Sequence, residues 1–282
     1  MSFWTNLNTL DFKLSRTRAN GLQTRFFEAG KGENTVLFLH GLNGHLDVFA
    51  RNFAAHAAHY HVLAMDMIGH GYSDKPDHDY EIKHYIDHVL GFLDVMGVKK
   101  ASLVGTSLGG WVSARMGARH PDRVSSISLV SSGGLTAYPH VMNQLSALGS
   151  KATTGLEGLR ARLEFVVKDK DSISEDLLDS RWNIYQQPDY QKMLPHILCL
   201  QNMEIRMRNL LTVEELGMVK APALVLWTKD DPTASIEDGQ KYADALPNSE
   251  FVVFDKSGHM PQYEEAERFN RVHLEFLKKA GL

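Results

Sequence analysis

The chain has 282 residues, 43% of them hydrophobic, which is enough apolar material for a large buried core near the upper size limit of a single domain. Its 30 basic and 34 acidic side chains leave a formal net charge of -4 with the signs interspersed, so the basic face of a nucleic-acid-binding protein is excluded and an anionic substrate would have to be met by local arginines. One cysteine, Cys199, cannot close an internal disulfide, residues 1–18 lack the basic start and apolar stretch of an export signal, and no apolar run approaches the roughly 18 residues that cross a bilayer; a cytoplasmic protein without a membrane partner is expected.

In chain order, residues 21–28 alternate as an early antiparallel strand, and short apolar runs follow at 36–39, 61–65, 101–104, 126–130, 223–227 and 251–254. Longer helix-like stretches separate these runs, which predicts a mostly parallel sheet flanked by helices. Residues 82–96 carry apolar side chains at helical spacing and stop at Gly97. Between residues 133 and 216 the strand pattern is interrupted by a helical, methionine-rich and charged stretch, read as a cap inserted into a core made of 1–132 and 217–282. No low-complexity tract or internal repeat is evident.

The most specific motif is Gly105-Thr-Ser-Leu-Gly109, directly after the run ending at Val104 and before the helix-like 111–119. A serine on a sharp strand-to-helix turn is lifted above the sheet, and crowding admits little beyond glycine at the flanking positions. Ser107 is the candidate nucleophile. Serine attacks poorly at neutral pH unless a neutral imidazole takes its proton and a carboxylate holds that ring in the right tautomer. Asp231, with Asp230 as the alternative, ends the strand beginning at Ala223, and His259 sits in a loop before a terminal helix starting near Pro261. Among 14 histidines it is the one in a loop directly after the last strand, completing the order Ser, Asp, His. The turn at His40-Gly41, just beyond the strand 36–39, suits an oxyanion hole whose donors would be the amides of Leu42 and Leu108, with His40 itself structural. Asp66 is read as a turn former, Trp111, Val112 and Met116 as helix core. His56, His59 and His61 straddle a helix end and a strand start with no completing carboxylate or thiolate, so no metal is expected, and serine chemistry requires no cofactor.

The His40-Gly41 loop, the Asp66-Met-Ile-Gly-His-Gly-Tyr-Ser-Asp-Lys-Pro segment, the elbow, Trp227-Thr-Lys-Asp-Asp and Ser257-Gly-His together resemble the α/β-hydrolase superfamily over nearly the whole chain. That resemblance implies an α/β fold with a mostly parallel eight-stranded sheet. Within it, the stretch from Val167 to Trp182, then Gln187-Pro-Asp, and Phe269-Asn-Arg-Val-His-Leu-Glu-Phe-Leu look like the meta-cleavage product hydrolases. The resemblance implies hydrolysis of a carbon–carbon bond in a 2-hydroxy-6-oxo-hexa-2,4-dienoate made by ring opening of a catechol. Arg181, with Trp182 beside it, matches the cap arginine that meets the substrate's carboxylate; a salt bridge to Asp176 or Asp179 is the competing reading.

Where such enzymes have a glycine-rich loop after His-Gly, an asparagine beside the elbow serine and a tryptophan after the catalytic histidine, this chain has Leu42-Asn43-Gly44-His45, Thr106 and Met260. Asn43, Thr106 and Met260 therefore join Arg181 and Trp182 as expected substrate-binding residues. Met193, Leu194, Ile197, Leu198 and Met203 could line an apolar pocket or pack as core. A carboxylesterase or lactonase would use the same triad and is the alternative function. An epoxide hydrolase or haloalkane dehalogenase would carry aspartate in place of Ser107, and a catalytically dead scaffold would have lost a triad member. The expected partner is a small-molecule substrate, and because relatives commonly self-associate, a homo-oligomer stays open.

Overall fold

The computed structural model describes Thr5 and residues 7–282; residues 1–4 and 6, on which the reading of the N-terminal leader and the start of the first core segment fall, lie outside the described residues. The strands are β1 (Phe12–Ala19), β2 (Leu22–Ala29), β3 (Thr35–Leu39), β4 (His61–Met65), β5 (Ala101–Thr106), β6 (Val124–Val130), β7 (Ala223–Thr228) and β8 (Ser249–Phe254). They form one eight-stranded sheet in the order β1-β2-β4-β3-β5-β6-β7-β8. β1 with β2 and β2 with β4 are antiparallel, and every other neighbouring pair is parallel. Every residue of β3, β5 and β7 is buried, the reason these runs read as continuously apolar rather than alternating: helices cover both faces of a parallel sheet.

Among the described residues the first strand is an addition to the expected set. β1, Phe-Lys-Leu-Ser-Arg-Thr-Arg-Ala, lies at the sheet edge, largely exposed, and its charged side chains interrupt the apolar pattern of Phe12 and Leu14 while protecting the edge from further pairing. It joins β2 through Asn20 and Gly21, both at positive φ (50° and 81°), the pairing that a two-residue hairpin turn requires.

Helices α1 (Ala50–Ala57), α2 (Ile82–Val95) and α3 (Leu108–Arg119) connect the central strands. Between β6 and β7 the chain leaves the sheet for α4 (Pro139–Ala152), α5 (Leu156–Val166), α6 (Glu175–Tyr185), α7 (Pro188–Ile197), α8 (Met203–Asn209) and α9 (Val213–Gly217). After β7 come α10 (Ile236–Ala245), the short α11 (Pro261–Glu264) and α12 (Ala266–Lys279), so the expected terminal helix is broken at Glu265. Among the described residues no helix is long and apolar enough to cross a membrane.

Buried charge shapes the loop after β3. Arg25 on β2 donates two hydrogen bonds to Asp47 (2.7 and 2.8 Å) and reaches Asp66 at 3.3 Å, while His45 lies 2.7 Å from the same Asp47 carboxylate. Asp66 also accepts the amides of Leu46 (2.8 Å) and Tyr72 (2.9 Å), which makes it a structural turn residue. A Cβ on Gly71 would lie 2.0 Å from that carboxylate, so only glycine passes there. His56 does not gather His59 and His61; its Nδ1–H donates to the Asn52 carbonyl (2.7 Å) and its Nε2 accepts from His273 Nδ1 (2.8 Å).

Candidate active site

Ser107 begins the turn from β5 into α3 with φ 53° and ψ -108°, a conformation that costs an L residue on the order of 1–3 kcal/mol and persists only where its surroundings enforce it. They do so here through three backbone bonds: its N–H donates to Val130 (3.0 Å), and its carbonyl accepts from Trp111 (3.0 Å) and Gly133 (3.1 Å). The flanking glycines are required by distance. A Cβ on Gly105 would sit 2.1 Å from the carbonyl of Gly109, and one on Gly109 2.1 Å from the Leu39 carbonyl oxygen. Because rigid backbone cannot yield, Gly105→Ala is expected to cost about 3 kcal/mol of stability, read as a lowered urea midpoint.

The side chain of Asp231 is completely buried beyond the end of β7 and faces His259, whose Nδ1 lies 2.9 Å from Oδ2 and 3.1 Å from Oδ1. An ionised carboxylate only accepts, so His259 Nδ1 carries the proton and the Nε2 lone pair of the neutral ring is left to take another. Thr233 braces this pair, donating its amide (2.8 Å) and hydroxyl (2.7 Å) to Asp231 Oδ1. Against the cost of burial, the neighbouring His259 and the hydrogen bonds from His259 and Thr233 hold the Asp231 carboxyl below its usual pKa. Asp230 points elsewhere, into a half-exposed ion pair with Lys168 at 2.6 Å. The His259 loop is fastened to the helices between β6 and β7: its N–H donates to the Val166 carbonyl at the end of α5 (2.6 Å).

Ser107 stands where two lobes of a cavity meet. The first is lined by Thr106, Arg162, Val166, Arg181, His259 and Met260, together with Gly41 and Gly44. The second is lined by Trp111, Val141, Met142 and Leu200 together with polar Tyr138 and Arg206, and Leu42, Leu145, Gln201 and Thr233 belong to both. Leu108 lines the second lobe as the first residue of α3. Among the described residues neither the Leu42 nor the Leu108 N–H donates to another protein group, so both are available beside the serine. The loop is set by His40, whose Nε2 accepts the Met67 amide (3.0 Å) while its Nδ1–H donates to the Gly41 carbonyl (2.8 Å). Burial pushes the His40 pKa down to about 3, keeping the ring neutral and in this role.

Arg181 on α6 is buried, and among the described residues it forms no ion pair, with Asp176 and Asp179 included; its Nε has no hydrogen-bond partner. Thr106 and Met260 line the same lobe as Arg181. Trp182 and Asn43 line neither lobe. Trp182 packs half-buried against the core, and Asn43 is fixed from the helices above it, its carbonyl accepting from Tyr185 (2.7 Å) and its Oδ1 from Tyr190 (2.8 Å). Both differ from the expected contact because neighbours one residue apart on a helix or a turn face different directions. Met193 and Ile197 are likewise core, and the apolar lining comes instead from Val141, Met142 and Leu145 on α4 together with Trp111 and Leu200. The reading of the sequence missed Arg162 and Gln201, whose placement depends on how α5 and the segment after α7 fold over the serine.

The alpha/beta hydrolase family model matches residues 36–272. A 2-hydroxy-6-oxononadienedioate/2-hydroxy-6-oxononatrienedioate hydrolase of Paraburkholderia phymatum is 32% identical over 268 residues, covering 91% of each chain. A 2-hydroxy-6-oxo-6-phenylhexa-2,4-dienoate hydrolase of Burkholderia cepacia is 33% identical over 263 residues, covering 89% of each. The crystal structure of a hydrolase of the latter designation from a Rhodococcus strain superposes with a TM-score of 0.85 at 22% identity, over 96% of this chain and all of the other, which speaks for the fold. By family model and by relatives above 30% identity along most of its length, this chain belongs to the α/β-hydrolase family and, within it, to the meta-cleavage product hydrolases.

Proposed function

We propose that this protein hydrolyses the carbon–carbon bond beside the 6-oxo group of a 2-hydroxy-6-oxo-dienoate, with Ser107 as nucleophile, His259 as proton carrier and Asp231 as its orienting carboxylate. The observation that carries this reading is a buried Arg181 with no counter-ion in the lobe that Ser107 and His259 share. An anion must complete such a site, because an unpaired buried cation is costly. A neutral ester offers it no counter-charge.

The chemistry follows from the arrangement. The dienol first becomes its 2,6-dioxo tautomer, moving a proton from the 2-hydroxyl to carbon 5, so that the bond between carbons 5 and 6 can break toward a stabilised dienolate. Ser107 Oγ then attacks carbon 6 while His259 Nε2 takes the hydroxyl proton, and the Leu42 and Leu108 amides receive the developing oxyanion. When the bond breaks, its electron pair enters the dienolate, which takes the proton back from His259 at carbon 5. Water, deprotonated by His259, releases the acid from Ser107 and restores the site. No metal or cofactor enters any step.

The helices between β6 and β7 act as a cap over this reaction, excluding water and strengthening the contact between Arg181 and the carboxylate. A cytoplasmic setting fits a chain with one free cysteine, the buried Cys199. Specificity constants for phenyl- and methyl-substituted ring-fission products against p-nitrophenyl esters test the reading; a strong preference for the esters overturns it. Arg181→Gln is expected to raise KM for the dienoate about 30-fold, the value of a buried charge-assisted bond of ~2 kcal/mol, and that for a neutral ester far less.

A further inference from the structure

Arg162, on α5, occupies the same lobe as Arg181, on α6, and is just as deeply buried, with relative exposures of 7% and 5%. Its Nε and one of its terminal nitrogens lack any hydrogen-bond partner, and the Arg181 Nε lacks one too. Among the described residues no carboxylate pairs with either guanidinium. The groups that interact with Arg162 are Arg181, a like charge, and the phenols of Tyr185 and Tyr190. Two buried cations facing one cavity without a counter-charge repel each other and are poorly solvated; a single carboxylate balances only one of them.

We propose that Arg162 and Arg181 form a two-guanidinium site for a 2-oxo or 2-hydroxy acid, in which Arg181 takes the carboxylate and Arg162 takes the neighbouring 2-oxygen. This rests on the function proposed above and names the half of the substrate that the first lobe holds. Arg162 lies one helical turn before Val166, whose carbonyl anchors the His259 amide, so the guanidinium and the proton-carrying ring are set by the same stretch of α5. As the bond between carbons 5 and 6 breaks, the electron pair spreads through the conjugated chain to the 2-oxygen, and a fixed cation there favours the transition state over the ground state. Burial first and the nearby Arg181 second push the Arg162 pKa down to about 10, which still leaves the group charged at neutral pH.

The test separates the 2-oxygen from the carboxylate by competitive inhibition with 2-oxopent-4-enoate and with pent-4-enoate, which lacks the 2-oxygen. The wild-type protein should bind the first about 30-fold more tightly, a preference of the size expected for one hydrogen bond to a charged group. Arg162→Gln and the apolar Arg162→Met should both reduce that ratio to within about threefold, while Arg181→Gln weakens both acids and leaves the ratio standing. A ratio near one in the wild-type protein, which needs no variant, or a full ratio in a folded Arg162 variant overturns the proposal. Failure of the parent reading looks different: the wild-type protein would cleave esters and leave ring-fission products intact, whatever the inhibition ratio.

Discussion

Ser107→Ala is expected to lower kcat for a ring-fission substrate by about four orders of magnitude or more, with secondary structure and substrate binding retained. The loss is large because, in the proposed mechanism, the hydroxyl is the attacking atom. The change is small because alanine keeps the Cβ, and the three backbone bonds that hold residue 107 at φ 53° do not involve the side chain. The decay of the dienoate chromophore gives the rate and circular dichroism the fold. A residual rate within tenfold of the parent would mean that water attacks carbon 6 directly, and the covalent route would have to be abandoned.

Asp231→Asn should be nearly as damaging, by about 10⁴-fold in kcat. Asparagine fits the same buried space and can still accept from Thr233, but its amide can also donate to His259 Nδ1. The ring would then carry its proton on Nε2 and have no lone pair for Ser107. Asp230→Asn supplies the contrast, since that carboxylate sits in a half-exposed ion pair with Lys168, and its loss should change turnover by less than about twofold. Equal effects at the two positions would show that the orienting role has been placed on the wrong carboxylate.

Much of this site is written locally. The strand runs, Gly105 and the order Ser107, Asp231, His259 are legible because each leaves a mark in its own segment: a continuous apolar run, a Cβ that would strike the Gly109 backbone 2.1 Å away, a loop beyond a strand end. The Asn20-Gly21 pair is an equally local signal, and it marks the hairpin to β1 that apolar periodicity overlooks, since the inner face of this edge strand is made of Ser15, Thr17 and Ala19, which carry little apolar pattern.

What the sequence by itself determined, then, is seven of the eight strands, the elbow at Ser107 and a Ser, Asp, His order that left Asp230 as an alternative to Asp231, because hydrophobic periodicity and backbone sterics are short-range. Tertiary structure alone decided which of two adjacent carboxylates faces His259, that Asn43 is held by Tyr185 and Tyr190 and lines neither lobe, and that Arg162 joins Arg181 beside Ser107. Those outcomes depend on how helices far along the chain settle over the sheet, and a side chain's neighbours across such an interface leave no periodic trace in its own segment.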